Sequence, residues 1–109
     1  MIRIAVVDDV CEVCTQLEKY LLQLSDKYNQ EIEVEPFYSG KSICDALKKH
    51  DSYDLIFLDY LMPEVNGLEA GAEIRKYSQV PLVLLTASDQ EDILRQILSI
   101  ACNCIKCTH

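Results

Sequence analysis

Ten consecutive residues, Asp54 to Pro63, constrain this chain more than any other stretch. Residues 55–58, Leu-Ile-Phe-Leu, are apolar without alternation, the pattern of a strand buried on both faces. The run ends on a carboxylate, Asp59. Pro63 then forbids continuation of a ladder, and Gly67 follows. Open α/β sheets take their ligands at the carboxyl ends of the strands, so a buried strand that delivers one Asp into a loop has the form of a site. The plainer reading makes Asp59 an ordinary loop residue. An acidic pair near the N-terminus weighs against it.

That pair is Asp8-Asp9, which ends another strand-like run, residues 2–7. Beyond it, Val10, Val13, Leu17, Leu21, Leu24 and Tyr28 recur at helical steps and predict a helix over 11–28. Residues 31–35 alternate Glu-Ile-Glu-Val-Glu, a half-exposed strand that Pro36 either ends or marks as an edge. Ser39 is an N-cap for a helix to about His50, with Ile43, Ala46 and Leu47 inward. Asn66-Gly67 opens a helix to about Tyr77, with Ala70, Ile74 and Tyr77 on one face. Gly71 inside it points to close approach of the sheet. Residues 80–86 form a second continuous apolar strand. Ser88 and Glu91 make a capping box for a helix to about Ile100, with Ile93 and Ile97 inward, and 101–106 form a short fifth strand.

Strict alternation of strand and helix implies a parallel sheet with right-handed crossovers and helices on both faces. The expected fold is α/β, a flavodoxin-like, doubly wound five-stranded sheet of order 2-1-3-4-5, and residues 1–109 form one domain. In that order strands 1 and 3 are neighbours, and Asp8, Asp9 and Asp59 converge at one end of them.

Charge narrows the function. Eighteen acidic against ten basic residues give −8, which argues against direct nucleic-acid binding by this segment and against an anionic membrane surface. The chain has neither a membrane-length apolar run nor a signal-peptide pattern, and the expected location is cytoplasmic. Without a secretory signal, the six cysteines do not read as a disulfide framework. Cys11-x-x-Cys14 has the spacing of a redox or metal pair, and Cys102, Cys104, Cys107 and His109 that of half a zinc site. The preferred reading, for these and for Cys44, is that cysteine fills core positions as a small hydrophobe.

Three carboxylates in one depression repel and call for a hard divalent cation, which suits Mg2+. Thr86, at the end of strand 4, presents a hydroxyl to the same place. Together these groups are equipment for accepting a phosphoryl group on a carboxylate.

With these residues in view, the chain resembles the receiver domain of bacterial two-component response regulators, over essentially its whole length. The matching residues are Asp8-Asp9, Asp59 with Met62-Pro63 and Gly67, and Thr86-Ala87. The stretch 54–59 is most similar to receivers of LytTR-type regulators. The resemblance implies that Asp59 is the phospho-acceptor, fed by a sensor histidine kinase. It implies that Asp8, Asp9, Asp59 and the Leu61 carbonyl hold Mg2+, that Thr86 is the switch hydroxyl, and that the Ala87 amide binds the phosphoryl group. It also implies an output domain or partner, attached or separate, and a signalling rather than an enzymatic role.

Three departures stand out. The family's lysine slot near the end of strand 5 falls on Cys107, while the lysine itself is Lys106; a one-residue shift turns a strand side chain to the other face unless a bulge intervenes. The family's switch aromatic falls on Cys104. The chain stops where the fifth helix should begin, so a stripe of sheet is expected bare, inviting a partner such as a homodimer mate. These departures keep an alternative open, a pseudo-receiver that retains the fold as an interaction module with weak or no phospho-switching. An Asp-nucleophile phosphatase fits less well, because Leu61 stands where its second Asp is needed. A flavin site lacks its phosphate loop after strand 1.

Overall fold

The computed structural model describes residues 1–59, 62 and 66–85. Over these the chain runs β1 (Ile2–Val7), α1 (Cys11–Tyr28), β2 (Ile32–Phe37), α2 (Gly40–Lys48), β3 (Leu55–Asp59), α3 (Gly67–Ile74) and β4 (Leu82–Leu85). The four strands are parallel and ordered β2-β1-β3-β4. This is the flavodoxin-like order expected for them. The expected helix after Ser88, the fifth strand, the slots at Cys104 and Cys107 and the expected loss of the last helix lie outside the described residues.

The sheet is apolar on both faces because each face carries its own core. Ile4, Val6, Leu55 and Phe57 pack with Cys14, Leu17, Leu21 and Leu24 of α1. Ala5, Val7, Ile56 and Leu58 pack with Ile43, Cys44 and Leu47 of α2 and Ala70 and Ile74 of α3. Alternating residues of one strand thus serve opposite layers, which is why strands 1 and 3 show no polar alternation.

The helices start and stop for local reasons. The Ser39 hydroxyl accepts from the Ser42 amide, and Asn66 Oδ1 accepts from the Glu69 amide at 2.9 Å. Helix α1 ends in Asn29 at φ 51°, the left-handed cap that asparagine tolerates. The start of α1 breaks the pattern. Its N-cap is Val10, whose side chain makes no capping bond.

Several expectations are corrected. Val10 is not on the buried face of α1; it precedes the helix and is 46 % exposed. Ala46 is only half-buried, and Cys44 takes the inward place beside Ile43 and Leu47. Tyr77 lies beyond α3, exposed, with the Lys48 ammonium 5.3 Å from its ring centroid. Of the two readings of Pro36 the edge-strand one holds, since Pro36 sits inside β2 at the edge of the described sheet. The Glu31 and Phe37 carbonyls accept from the amides of Ile2 and of Asp8, just past β1, so odd-numbered residues face β1 and Pro36 faces away from the ladder. Gly71 does lie over the sheet, but a Cβ there would be 3.6 Å from Leu82 Cδ1, an ordinary contact. The tighter glycine is Gly40, where a Cβ would stand 3.3 Å from that of Ala70. On the α1 side Phe57 and Leu85 are buried and Val83 is half-buried, while the stripe expected bare beside strand 5 lies outside the described residues.

Candidate functional site

Register builds the site. Val7 pairs with Leu58, so the next residues, Asp8 and Asp59, leave adjacent strands at the same level. Strands lie about 4.8 Å apart, and Asp9 follows at once. Carboxylate oxygens of Asp8, Asp9 and Asp59 all fall within 4.8 Å of one another. This is the cluster anticipated from the strand order, at the predicted end of the predicted strands. Among the described residues it is the one group of three or more His, Cys, Asp or Glu side chains with that convergence.

The three carboxylates differ in setting. Asp8 is 3 % exposed, Asp59 half-buried and Asp9 exposed. Burial pushes the Asp8 carboxyl up to about 6, and the charges of Asp59 and Asp9 push the same way. The Val10 amide opposes them, donating to Asp8 Oδ1 at 2.9 Å. Val10 thus explains the bare start of α1. The β1–α1 turn presents its acidic residues to the site and leaves an apolar residue at the cap, and Asp8 takes the amide in the manner of an Asx turn. Sequence reasoning missed this amide, although an Asp two residues before the cap was its signal.

Cys14, expected as a core residue, also touches the site. It is buried on the first turn of α1, and its thiol donates weakly to the carbonyls of Asp8, at 3.6 Å, and Val6, at 4.0 Å. Burial and the Asp8 charge push this thiol up to about 12. Cys11, at the first position of the helix, is exposed, and Cys11, Cys14 and Cys44 are all free thiols. Cys14 and Cys44 thus fill core positions, as expected, and Cys11 does not.

Of the other expected site residues, Met62 is half-buried against the α2–α3 core, and Gly67 is buried at the start of α3. Leu61, Pro63, Thr86, Ala87 and Lys106 lie outside the described residues, as do Cys102, Cys104, Cys107 and His109. A separate cleft of about 260 Å³ lies between α2 and α3, lined by Gly40, Lys41, Cys44, Lys48 and Glu73, among others, and does not include the carboxylates.

A parallel sheet covered on both faces, with an acidic cluster at the carboxyl ends of β1 and β3, defines a class of doubly wound α/β domains whose carboxylates suit a hard cation. Within that class the chain belongs to the response regulator receiver domain family, whose profile matches residues 4–105. It is 39% identical over 92 residues to the transcriptional regulatory protein CpxR homolog of Haemophilus influenzae, covering 84% of this chain and 37% of that protein. It is 36% identical over 93 residues to the response regulator ArlR of Staphylococcus aureus, covering 84% and 39%. The chain therefore spans well under half the length of these relatives. Its fold matches the receiver domain of a Francisella response regulator with a TM-score of 0.75 at 17% identity, over 100% of both chains. Receiver domains are signalling modules of two-component systems, and phosphorylation and Mg2+ binding are features of the family. Among the described residues no helix is long and apolar enough to cross a membrane.

Proposed function

We propose that this chain is a working receiver, in which Asp59 accepts a phosphoryl group from a sensor histidine kinase and the change is passed to an output domain or partner. The convergence of Asp8, Asp9 and Asp59 within 4.8 Å carries the reading. An all-oxygen donor set of this kind, with one member buried, suits a hard divalent cation. Asp8, Asp9, Asp59 and the Leu61 carbonyl would hold Mg2+, which supplies neutralisation of the incoming phosphoryl oxygens.

The chain's own residues do the rest. An Asp59 carboxylate oxygen forms the new bond to phosphorus as the phosphorus–nitrogen bond of the donor's phosphohistidine breaks, and the imidazole leaves with a proton. Asp8, fixed by the Val10 amide, keeps the cluster in place. Thr86 and the Ala87 amide bind the phosphoryl oxygens of the product. Lys106 adds a cation if strand 5 bulges; otherwise Cys107 occupies its place and the switch is weak, as in a pseudo-receiver. One relative bears the name of a transcriptional regulatory protein, and we extend that output, of LytTR-type or another kind, to this chain. The proposed site of action is the cytoplasm, without direct nucleic-acid contact by this segment.

The test is intact-mass analysis after incubation with acetyl phosphate. The chain gains one phosphoryl group with Mg2+, and Asp59→Asn abolishes the gain. Label retained in that variant, or undiminished labelling in chelator, overturns the assignment.

A further inference from the structure

We propose that Cys11 and Cys14 are a modification site, a reversible disulfide whose formation weakens cation binding at the neighbouring carboxylates. The second half rests on the reading of the cluster as a Mg2+ site; the first does not.

Packing explains Cys14, which lies in the α1 core at 2 % exposure. It does not explain a second thiol one turn earlier that is exposed and contributes nothing to that core. The two occupy the first and fourth positions of α1. Helix geometry puts Cα atoms at that spacing about 5 Å apart, inside the range a disulfide accepts. Their Cβ atoms, about 5–6 Å apart in a regular helix, must close to about 4 Å. The first turn of α1 is already tight, with the Val13 and Cys14 amides both donating to the Val10 carbonyl at 3.1 and 3.3 Å, the i→i+3 closure of a tightened turn.

The same tightening reaches the site. The Cys14 thiol donates to the Asp8 carbonyl, and the Val10 amide, one residue before Cys11, fixes the Asp8 carboxylate. Turning the Cys14 sulfur toward Cys11 removes the first contact and pulls on the second. Cys44 is not a rival partner, since it packs in the core on the opposite face of the sheet.

The chemistry balances as an exchange with a small-molecule disulfide. The Cys11 sulfur, its proton lost to water, attacks one sulfur of glutathione disulfide and expels one glutathione. The Cys14 sulfur, once turned out of the core whose burial holds its proton on, loses that proton to water, attacks the Cys11 sulfur and expels the second glutathione. Two protein thiols are oxidised and one disulfide is reduced to two thiols, and a dithiol reductant reverses both steps.

The test treats the whole chain with glutathione disulfide, then blocks remaining thiols by alkylation and digests with trypsin. The peptide of residues 4–19 carries Cys11 and Cys14 and no other cysteine. It should emerge lighter by two hydrogens and unalkylated. Cys14→Ala, which keeps a small apolar group in the core, should stop at a glutathione adduct on Cys11, and Cys11→Ser should leave Cys14 free. A persistent adduct in the unsubstituted chain, or both thiols alkylated, overturns the disulfide. Calorimetric Mg2+ titration should show affinity weaker by on the order of tenfold in the oxidised chain. Equal affinity in both forms overturns the coupling. No Mg2+ binding by the reduced chain refutes the cation site and, with it, the coupling, while the mass result stands on its own.

Discussion

Arg3 and Tyr53 show at the scale of single residues how this chain separates its charges. The Arg3 amide donates to Asp54 Oδ2, and its guanidinium meets Glu33 and Glu35 at 3.6 and 3.5 Å and lies 4.9 Å from the Tyr53 ring centroid. Tyr53 donates to Glu35. These pairs gather where β1 and β3 begin, opposite the end that holds Asp8, Asp9 and Asp59. Burial first, then the Glu35 hydrogen bond and charge, push the Tyr53 phenol above its ordinary range, with Arg3 opposing. A folded value above the unfolded one means that the stabilisation is present below about pH 10 and is lost as pH rises past it. In an alkaline absorbance titration one tyrosine should ionise after the others, and Tyr53→Phe should delete that last step. At the other end, Asp9→Asn should cut the Mg2+-induced rise in melting temperature, because Asp9 is a proposed ligand.

At the scale of elements, three substitutions separate caps from packing. Asn66→Ala removes the Oδ1 acceptor for the Glu69 amide at the start of α3 and should cost about 1 kcal/mol in denaturant melts. Gly71→Ala should stabilise by up to about 1 kcal/mol, since its Cβ finds ordinary contact with Leu82 and the flexible residue leaves the helix interior. Gly40→Ala should gain less or lose, because its Cβ meets that of Ala70 at 3.3 Å where α2 approaches α3. A larger gain at Gly40 than at Gly71 would contradict this account of the α2–α3 contact.

For the whole molecule, the fold holds three carboxylates together against their repulsion, so a cation that binds only the native state must raise its stability. Mg2+ at about a hundred times its dissociation constant should add about 2.7 kcal/mol, seen as a higher melting temperature that chelator reverses. An unchanged melting curve would count against the site. Phe57 and Leu85, on the α1 side of the sheet, are buried. The α1 side should not drive association through these two residues, and light scattering at rising concentration should show no assembly that depends on them.

How much of this was legible in residue order follows from the range of the forces involved. Continuous apolar runs at 2–7 and 55–58, the stripe from Leu17 to Leu24 and the caps at Ser39 and Asn66 are local patterns, and the sheet order and the meeting of Asp8, Asp9 and Asp59 follow from them through handed, short connections. Misses occurred where burial depends on a neighbour distant in the chain. Val10 has helical spacing but no surface to pack against, and Tyr77 falls beyond the last turn of α3. Whether Gly71 or Gly40 stands at a close approach depends on how near a partner element comes, a distance no local pattern encodes. The raised Asp8 carboxyl and the Cys14 thiol on the Asp8 carbonyl arise the same way, because desolvation and hydrogen bonding are set by everything packed around a group and exist only once the chain has closed over it.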